Sequence, residues 1–354
     1  MAGSGISPGR PSRALDAKRA AAVDEAVGSV MAEQELVGLA VGVIRDGRVV
    51  YLNGYGLADR EKRTPVTTET VFSWASNSKP MAAVLALQLA EAGKLDLDAD
   101  VRRYVPEFPP KGTVITCRQL LCHQSGIPHY TNGKIVPADR KSEAPRDRPD
   151  PILSLDRFSE SPLILAPGEK SEYSSYAYIL LSAVVQRAGE QGFDEQVQDR
   201  IAKPLRMSSL QLDRGTPEPD WAAGYRKKGG QVVRAPEKEN DWKFGAGGYK
   251  SDVRDFARWA AALMNHRLVS PQTERKMWTP QVTKGGKATE YGLGFAVEDG
   301  RQGFKVSHNG SQTESTTRMV LYPKAGHGVV VLCNCGFAKI GAVSTAVYSA
   351  LNRK

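Results

Sequence analysis

The chain has no apolar run long enough to cross a bilayer as a helix. No secretory hydrophobic core follows Met1, so a leader is absent or has been removed. Cysteines are scarce. Cys117, Cys122, Cys333 and Cys335 show no spacing suited to zinc. Cys333 and Cys335 stand two apart in a strand-like run, so they share a face and are not placed to bridge each other. All four read as small buried apolar side chains and leave the redox compartment open. No stretch interleaves bases with aromatics, so nucleic acid is not an expected partner. The net charge of +9 is spread among acids and reads as a solvated surface. No motif calls for a metal or an organic cofactor.

The 354 residues suffice for one large domain or two ordinary ones. Residues 1–12 are rich in Gly, Ser and Pro and read as a disordered tail. Residues 13–35 carry alanines and valines at helical spacing. Leu39–Ile44 reads as a strand, Asp46-Gly47 as a hairpin turn and Val49–Leu52 as the return strand. Gly54 and Gly56 follow in a loop, as a turn or a close backbone approach. Beyond Gly93 come a proline-rich connector, a short helix at Thr116–Cys122 and a charged loop over 131–151. Helices are expected at Ser175–Ala188, stopped by Gly189, and at Val253–Asn265, capped by Ser251 and Asp252. Residues 204–248 show little pattern. Strands are expected at Tyr291–Val297 and Gly303–Ser307 around a Glu298-Asp299-Gly300 turn, and at Thr317–Tyr322 and Gly328–Cys333. A last helix runs from Ile340 to Leu351.

The stretch that organises the rest is Ser76-Asn77-Ser78-Lys79 followed by Pro80–Leu87. A helix starting at Ser76 puts Lys79 one turn on, on the same face. The run after it leaves almost no polar face, so the helix should be buried. Burial lowers a lysine pKa, and a neutral amine can take a proton from serine. By itself the pattern is better explained as an N-capping serine with a snorkelling lysine. Two decoys lack context. Gly5-Ile6-Ser7-Pro8-Gly9 has no strand before it, and Gly245-Ala246-Gly247-Gly248 completes no nucleotide-binding fingerprint.

Later motifs tip the balance. Tyr173-Ser174-Ser175 follows a Pro167-Gly168 turn, and His308-Asn309-Gly310 follows a strand-like run. With Ser76-x-x-Lys79, these stand in the order of the three motifs of serine β-lactamases and penicillin-binding proteins, and the chain resembles that superfamily. The pattern is class C-like. Leu120–Gly126, Pro167–Glu169, Gly247–Asp252 and Tyr291–Gly294 add to it. Tyr104–Pro109 and Met277–Pro280 are most similar to the mitochondrial β-lactamase-like serine proteins.

The resemblance implies an α/β (α+β) fold of the β-lactamase/transpeptidase type. One antiparallel sheet built from both termini is flanked by helices. A single domain spans 13–354, with a sheet lobe at about 13–75 and 288–354 and a helical lobe at about 76–287. It implies that Ser76 attacks a carbonyl and that Lys79 and Tyr173 move the proton, with Lys79 as the cation that lowers the Tyr173 pKa. His308 then holds Tyr173 or a substrate carboxylate. The N–H groups of Ser76 and Ser311 form the oxyanion hole, and Ser175, Asn309 and Gly310 line the substrate site. His123 reads as loop-fixing, and His129, His266 and His327 carry no pattern. Ser175 replaces the usual asparagine and histidine the usual lysine, which disfavours efficient β-lactam hydrolysis. The expected activity is cleavage of a peptide or small ester through an acyl-enzyme. Acyl transfer with the same site, or a low-turnover scaffold forming homo-oligomers or filaments, are the alternatives. The compartment is not specified; if a leader was removed, the periplasm fits.

Overall fold

The computed structural model describes residues 14–139, 149–215, 218, 220–300 and 303–352. The expected 1–12 tail and the Gly5–Gly9 decoy lie outside them, as does part of the 131–151 loop.

Helix α1 spans Ala17–Gln34, and Asp16 caps it by accepting from Arg19 N. Strand β1 (Gly38–Arg45) turns at Asp46-Gly47 into β2 (Arg48–Asp59). Both turn residues have positive φ, +50° and +66°, as a tight two-residue hairpin requires. The return strand runs seven residues past the expected Leu52. Gly54 and Gly56 lie within it rather than in a loop. A Cβ at Gly54 would meet the Val66 carbonyl oxygen at 2.5 Å, and one at Gly56 the Val37 oxygen at 2.2 Å. These glycines therefore mark close backbone approaches. The short β3 (Thr64–Pro65) pairs with the end of β2.

The C-terminal strands complete the sheet. They are β4 (Ala296–Gly300), β5 (Gly303–Ser311), β6 (Thr316–Tyr322) and β7 (His327–Cys333). The order is β3-β2-β1-β7-β6-β5-β4, antiparallel throughout. The two termini thus meet at β1 and β7. Two boundaries differ from expectation. Tyr291–Phe295 is not strand, because Gly294 at φ +92° breaks the run. Glu298, Asp299 and Gly300 belong to β4 and not to a turn, and residues 301–302 lie outside the described residues. Strand β5 also continues through His308, Asn309 and Gly310 instead of ending before them.

Both faces of the central strands are covered, which explains their unbroken apolar runs. On one face Leu39, Val41, Val43, Val329 and Val331 pack with Val23 and Val27 of α1 and with Val343 and Val347 of the C-terminal helix Ile340–Leu351. On the other, Ala40, Ile44, Val330 and Leu332 share a core with Phe256 and Trp259 of the helix Val253–Met264. That second core continues into α2 (Ser78–Glu91) and α3 (Ser175–Gly189). Helix α3 ends one residue beyond expectation, at a Glu190 held in the left-handed region.

The 204–248 stretch contains a hairpin that sequence reading misses, Tyr225–Lys228 with Gln231–Arg234. Its arms carry Arg226, Lys227 and Lys228 and show no apolar alternation. A smaller sheet joins Phe72–Ser73, Tyr249–Ser251 and Gln211–Leu212. The four cysteines are free and buried. Among the described residues no helix is long and apolar enough to cross a membrane.

Leu85 sits fully buried in α2. Leu85→Ala should therefore lower stability by about 2–5 kcal/mol through loss of contact and a residual cavity. The readout is a lower denaturant midpoint with an unchanged slope.

Candidate active site

Every residue from Val71 to Leu87 is buried except Ser76. The strand Phe72–Ser73 delivers the chain to Trp74. The indole N–H of Trp74 donates to Ser251 Oγ at 2.8 Å, and its ring packs 4.7 Å from Phe256. Ala75 then takes a φ of +48°, a strained value for a residue with a Cβ. Ser76 lies not at the start of an α-helix but on the 3-10 turn Ala75–Asn77, which runs into α2 at Ser78. The turn lifts the Ser76 hydroxyl into a cleft. Lys79 follows one turn later, fully buried.

The Lys79 amine has three neighbours from three segments. It lies 3.0 Å from Ser76 Oγ, 3.1 Å from Ser175 Oγ and 2.6 Å from the Ala246 carbonyl oxygen. The last contact depends on Gly245. A Cβ there would sit 2.4 Å from Ala82 Cβ in α2, so only glycine lets residues 241–247 lie so close. Burial holds the Lys79 pKa well below its usual value, and the Lys243 charge adds to the effect.

Tyr173 opens the second motif. Its ring centroid is 4.9 Å from Lys79 Nζ. It keeps 37 % of its surface exposed to the cleft, while enclosure of the phenol raises its pKa, opposed by the Ser76 and Ser175 hydroxyls. This reverses the expected lowering. A lysine driven towards its neutral form cannot act as the cation that acidifies a phenol. The two shifts run in opposite directions, favouring the uncharged form of both Lys79 and Tyr173.

His308 also differs from expectation. One nitrogen, Nδ1, is 2.7 Å from the Asn309 carbonyl oxygen and so carries the proton; Nε2, 2.9 Å from the Tyr291 hydroxyl, accepts. Burial, with Lys79 nearby, pushes its pKa down to about 3. It is therefore neutral, and both nitrogens are engaged. It holds Tyr291 rather than Tyr173. Asn309 Oδ1 accepts from Arg318 at 2.5 Å.

Gly310 explains how β5 reaches the nucleophile. A Cβ there would meet Thr317 Oγ1 at 2.2 Å and the Trp74 carbonyl oxygen at 2.3 Å. Thr317 donates to that same Trp74 oxygen at 2.7 Å. The Asn77 side chain ties the layers further. Its amide accepts from Gly310 N and donates to the His308 carbonyl oxygen, each at 3.2 Å. Ser76, Ser175, Asn309 and Ser311 consequently border one cavity of about 410 Å³ with Tyr173 and His308.

His123 fixes a loop, as its sequence position suggests, but His129, which carries no pattern in the sequence, does the same beside it. His123 Nδ1 accepts from Ser174 N and His129 Nδ1 from Ser175 N, both at 3.1 Å. The His123 ring lies 4.3 Å from that of Tyr173. Burial lowers both pKa values, that of His129 to about 4. Two neutral imidazoles thus hold successive N–H groups of the second motif. The signal was the spacing of His123 and His129 around Ser125–Pro128, which means nothing until the chain folds. Lys243 and the Ala246 carbonyl carried no signal at all. His266 pairs with Glu274 at 2.9 Å, away from the cleft. Among the described residues no group of three or more His, Cys, Asp or Glu side chains is arranged to hold a metal ion.

These features have counterparts in known proteins. The family profile described as Beta-lactamase matches residues 23–344. The mitochondrial serine beta-lactamase-like protein LACTB of Mus musculus is 27% identical, over 98% of this chain and 83% of the mouse protein. Among solved structures, the octameric penicillin-binding protein homologue from Pyrococcus abyssi matches with a TM-score of 0.79 at 26% identity, covering 95% of this chain and 78% of that one. The fold is also that of EstCE1, described as a hydrolase with promiscuous acyltransferase activity, with a TM-score of 0.81 at 22% identity over 95% of this chain and 99% of that one.

Gly310→Ala should force β5 away from Trp74 and misplace the wall of the cleft. A displacement on the order of 1 Å costs about a hundredfold in rate. Labelling of Ser76 by an activated fluorophosphonate should slow accordingly while the protein stays folded by circular dichroism.

Proposed function

The chain belongs to the Beta-lactamase family, and from that premise we propose that it is a metal-independent serine hydrolase that cleaves an ester or amide through an acyl-enzyme on Ser76. The observation that carries this reading is the environment of Lys79. A neutral amine has two N–H donors and one lone pair. The Ala246 carbonyl can only accept, so it takes one N–H; with the second N–H given to the Ser175 hydroxyl, the lone pair is left for the Ser76 hydroxyl 3.0 Å away. That is the arrangement of a base poised on its nucleophile.

Ser76 Oγ attacks the substrate carbonyl carbon as its proton passes to Lys79 Nζ. The carbonyl oxygen becomes an oxyanion, with the N–H groups of Ser76 and Ser311 as its donors. The intermediate collapses, the bond to the leaving group breaks, and that group takes the phenolic proton of Tyr173. The Lys79 ammonium restores the phenol's proton through the intervening hydroxyls. Water then attacks the acyl carbon and loses a proton to the same relay; the bond to Ser76 Oγ breaks, the relay returns the proton to Oγ, and the acid leaves. Tyr173 acts as acid because its raised pKa keeps it protonated, and Lys79 as base because its lowered pKa frees its lone pair. His123, His129 and His308 stay neutral and orient the parts. The substrate class is a peptide or a small carboxylic ester.

Intact-mass analysis after fluorophosphonate treatment should give one adduct on the wild type and none on Ser76→Ala. Absence of an adduct on folded wild type would sink the hydrolase reading. The pH profile is a second check. Activity needs Lys79 without its proton, so kcat/KM rises with pH through the lowered Lys79 pKa and holds until Tyr173 ionises. Removing the Lys243 charge raises the Lys79 pKa. Lys243→Met should therefore move the acid limb to higher pH, and an unmoved limb would take the base role away from Lys79.

A further inference from the structure

The cleft divides at Ser76. Ser76, Tyr130, Ser175 and Ser311 border both branches. The larger branch, about 410 Å³, contains Tyr173 and His308 and has no Asp, Glu, Lys or Arg in its lining. The smaller, about 190 Å³, runs under Ala246 and Gly247 and is lined by Lys238, Lys243 and Glu314. Tyr173 borders only the larger branch. If it protonates the leaving group, as proposed above, the leaving group lies there and the acyl part of the substrate lies in the smaller branch.

The smaller branch is under-used by the protein. Lys243 Nζ has one bonded acceptor, Asn240 Oδ1 at 2.7 Å, and Lys238 Nζ has Thr313 Oγ1 at 3.1 Å. An ammonium has three donors, and these are the hydrogen bonds each lysine makes among the described residues. The one carboxylate in the lining, Glu314, accepts from Asn240 Nδ2 at 3.2 Å through one oxygen, and its other oxygen has no partner. Asp213, behind Asn240, is bonded to the same Nδ2 at 2.9 Å. In the lining itself two lysines stand against one carboxylate; Asp213 behind Asn240 offsets part of that excess, and the lysines keep donors free to bind. Arg157, stacked 4.1 Å over the Trp242 ring, adds charge of the same sign nearby.

We propose that this branch binds an anionic group on the acyl part of the substrate: a carboxylate one short chain away from the carbonyl that Ser76 attacks. The preferred substrates are then esters or amides of short dicarboxylic acids. Charge-assisted hydrogen bonds from Lys238 and Lys243 would fix the acyl chain, and Glu314 would hold the two lysines apart from each other's charge. The inference rests on the serine-hydrolase reading for the direction of the substrate, and on the cavity alone for its charge.

The test compares the mono-p-nitrophenyl ester of glutaric acid with the same ester carrying a methyl group on its free carboxylate. Rates are corrected for uncatalysed hydrolysis with Ser76→Ala. Wild type should favour the acid by about tenfold in kcat/KM, chiefly through KM. That ratio should fall towards one in Lys243→Met and in Lys238→Met, and should persist in Lys243→Arg, which controls for folding. A wild-type ratio at or below one, or a ratio the substitutions leave alone, overturns the subsite while hydrolysis itself stands. A calorimetric titration of glutarate into Ser76→Ala separates the two readings. If neither ester turns over but glutarate binds and Lys243→Met abolishes the binding, the hydrolase reading falls and the subsite survives. No binding of glutarate, together with no turnover, ends both.

Discussion

Lys79 is fully buried, and no carboxylate among the described residues forms an ion pair with it. An ammonium ion in such a place forfeits its hydration with nothing of opposite sign in return. The site follows from that constraint. Burial favours the uncharged amine, and the fold sets it 3.0 Å from the Ser76 hydroxyl. Three separate segments converge to arrange this: the 3-10 turn, the first turn of α3, and residues 241–247. Each is brought in by a local device. Ala75 accepts a strained φ, His129 and His123 catch the N–H groups ahead of α3, and Gly245 lets a backbone carbonyl press against α2.

The same economy shapes the other wall. Strand β5 would be an ordinary sheet strand if it did not ride directly on Trp74 and Ala75. Gly310 permits that approach, and Asn77 and Thr317 lock it. The histidine beside it, His308, is neutral and has both nitrogens engaged. The imidazoles around Ser76 therefore serve as fixed dipoles, and the free charges in the cleft are confined to the Lys238 and Lys243 side.

Much of this was legible in the amino-acid sequence because it depends on local rules. The apolar run after Lys79 required a buried helix. Short apolar runs bounded by turn residues marked the strands at both ends, and their shared apolar character implied one sheet. What stayed hidden depends on distance in space. Strand β2 continues through Gly54 and Gly56 because other backbones lie against it, and no single-strand pattern records that. The hairpin at Tyr225–Arg234 is too charged to alternate. The direction of the Tyr173 pKa shift was misjudged because burial of the phenol itself, which no local pattern records, outweighs its polar neighbours. Lys243 and the Ala246 carbonyl reach the site through a loop with no periodicity, so nothing in the residues near them announced a role.

Lys79 also ties the stability of the whole chain to the solution it stands in. Unfolded, this lysine holds its proton up to about pH 10.5; folded, it gives the proton up at a lower pH because burial disfavours the charge. Folding therefore expels a proton. The native state gains on the unfolded one as pH rises from the lowered value to the unfolded one, and loses that gain as pH falls back through the window. An apolar side chain of similar length at position 79 would remove this liability. The lysine stands as a site where selection for a firm fold and selection for a working base pull in opposite directions.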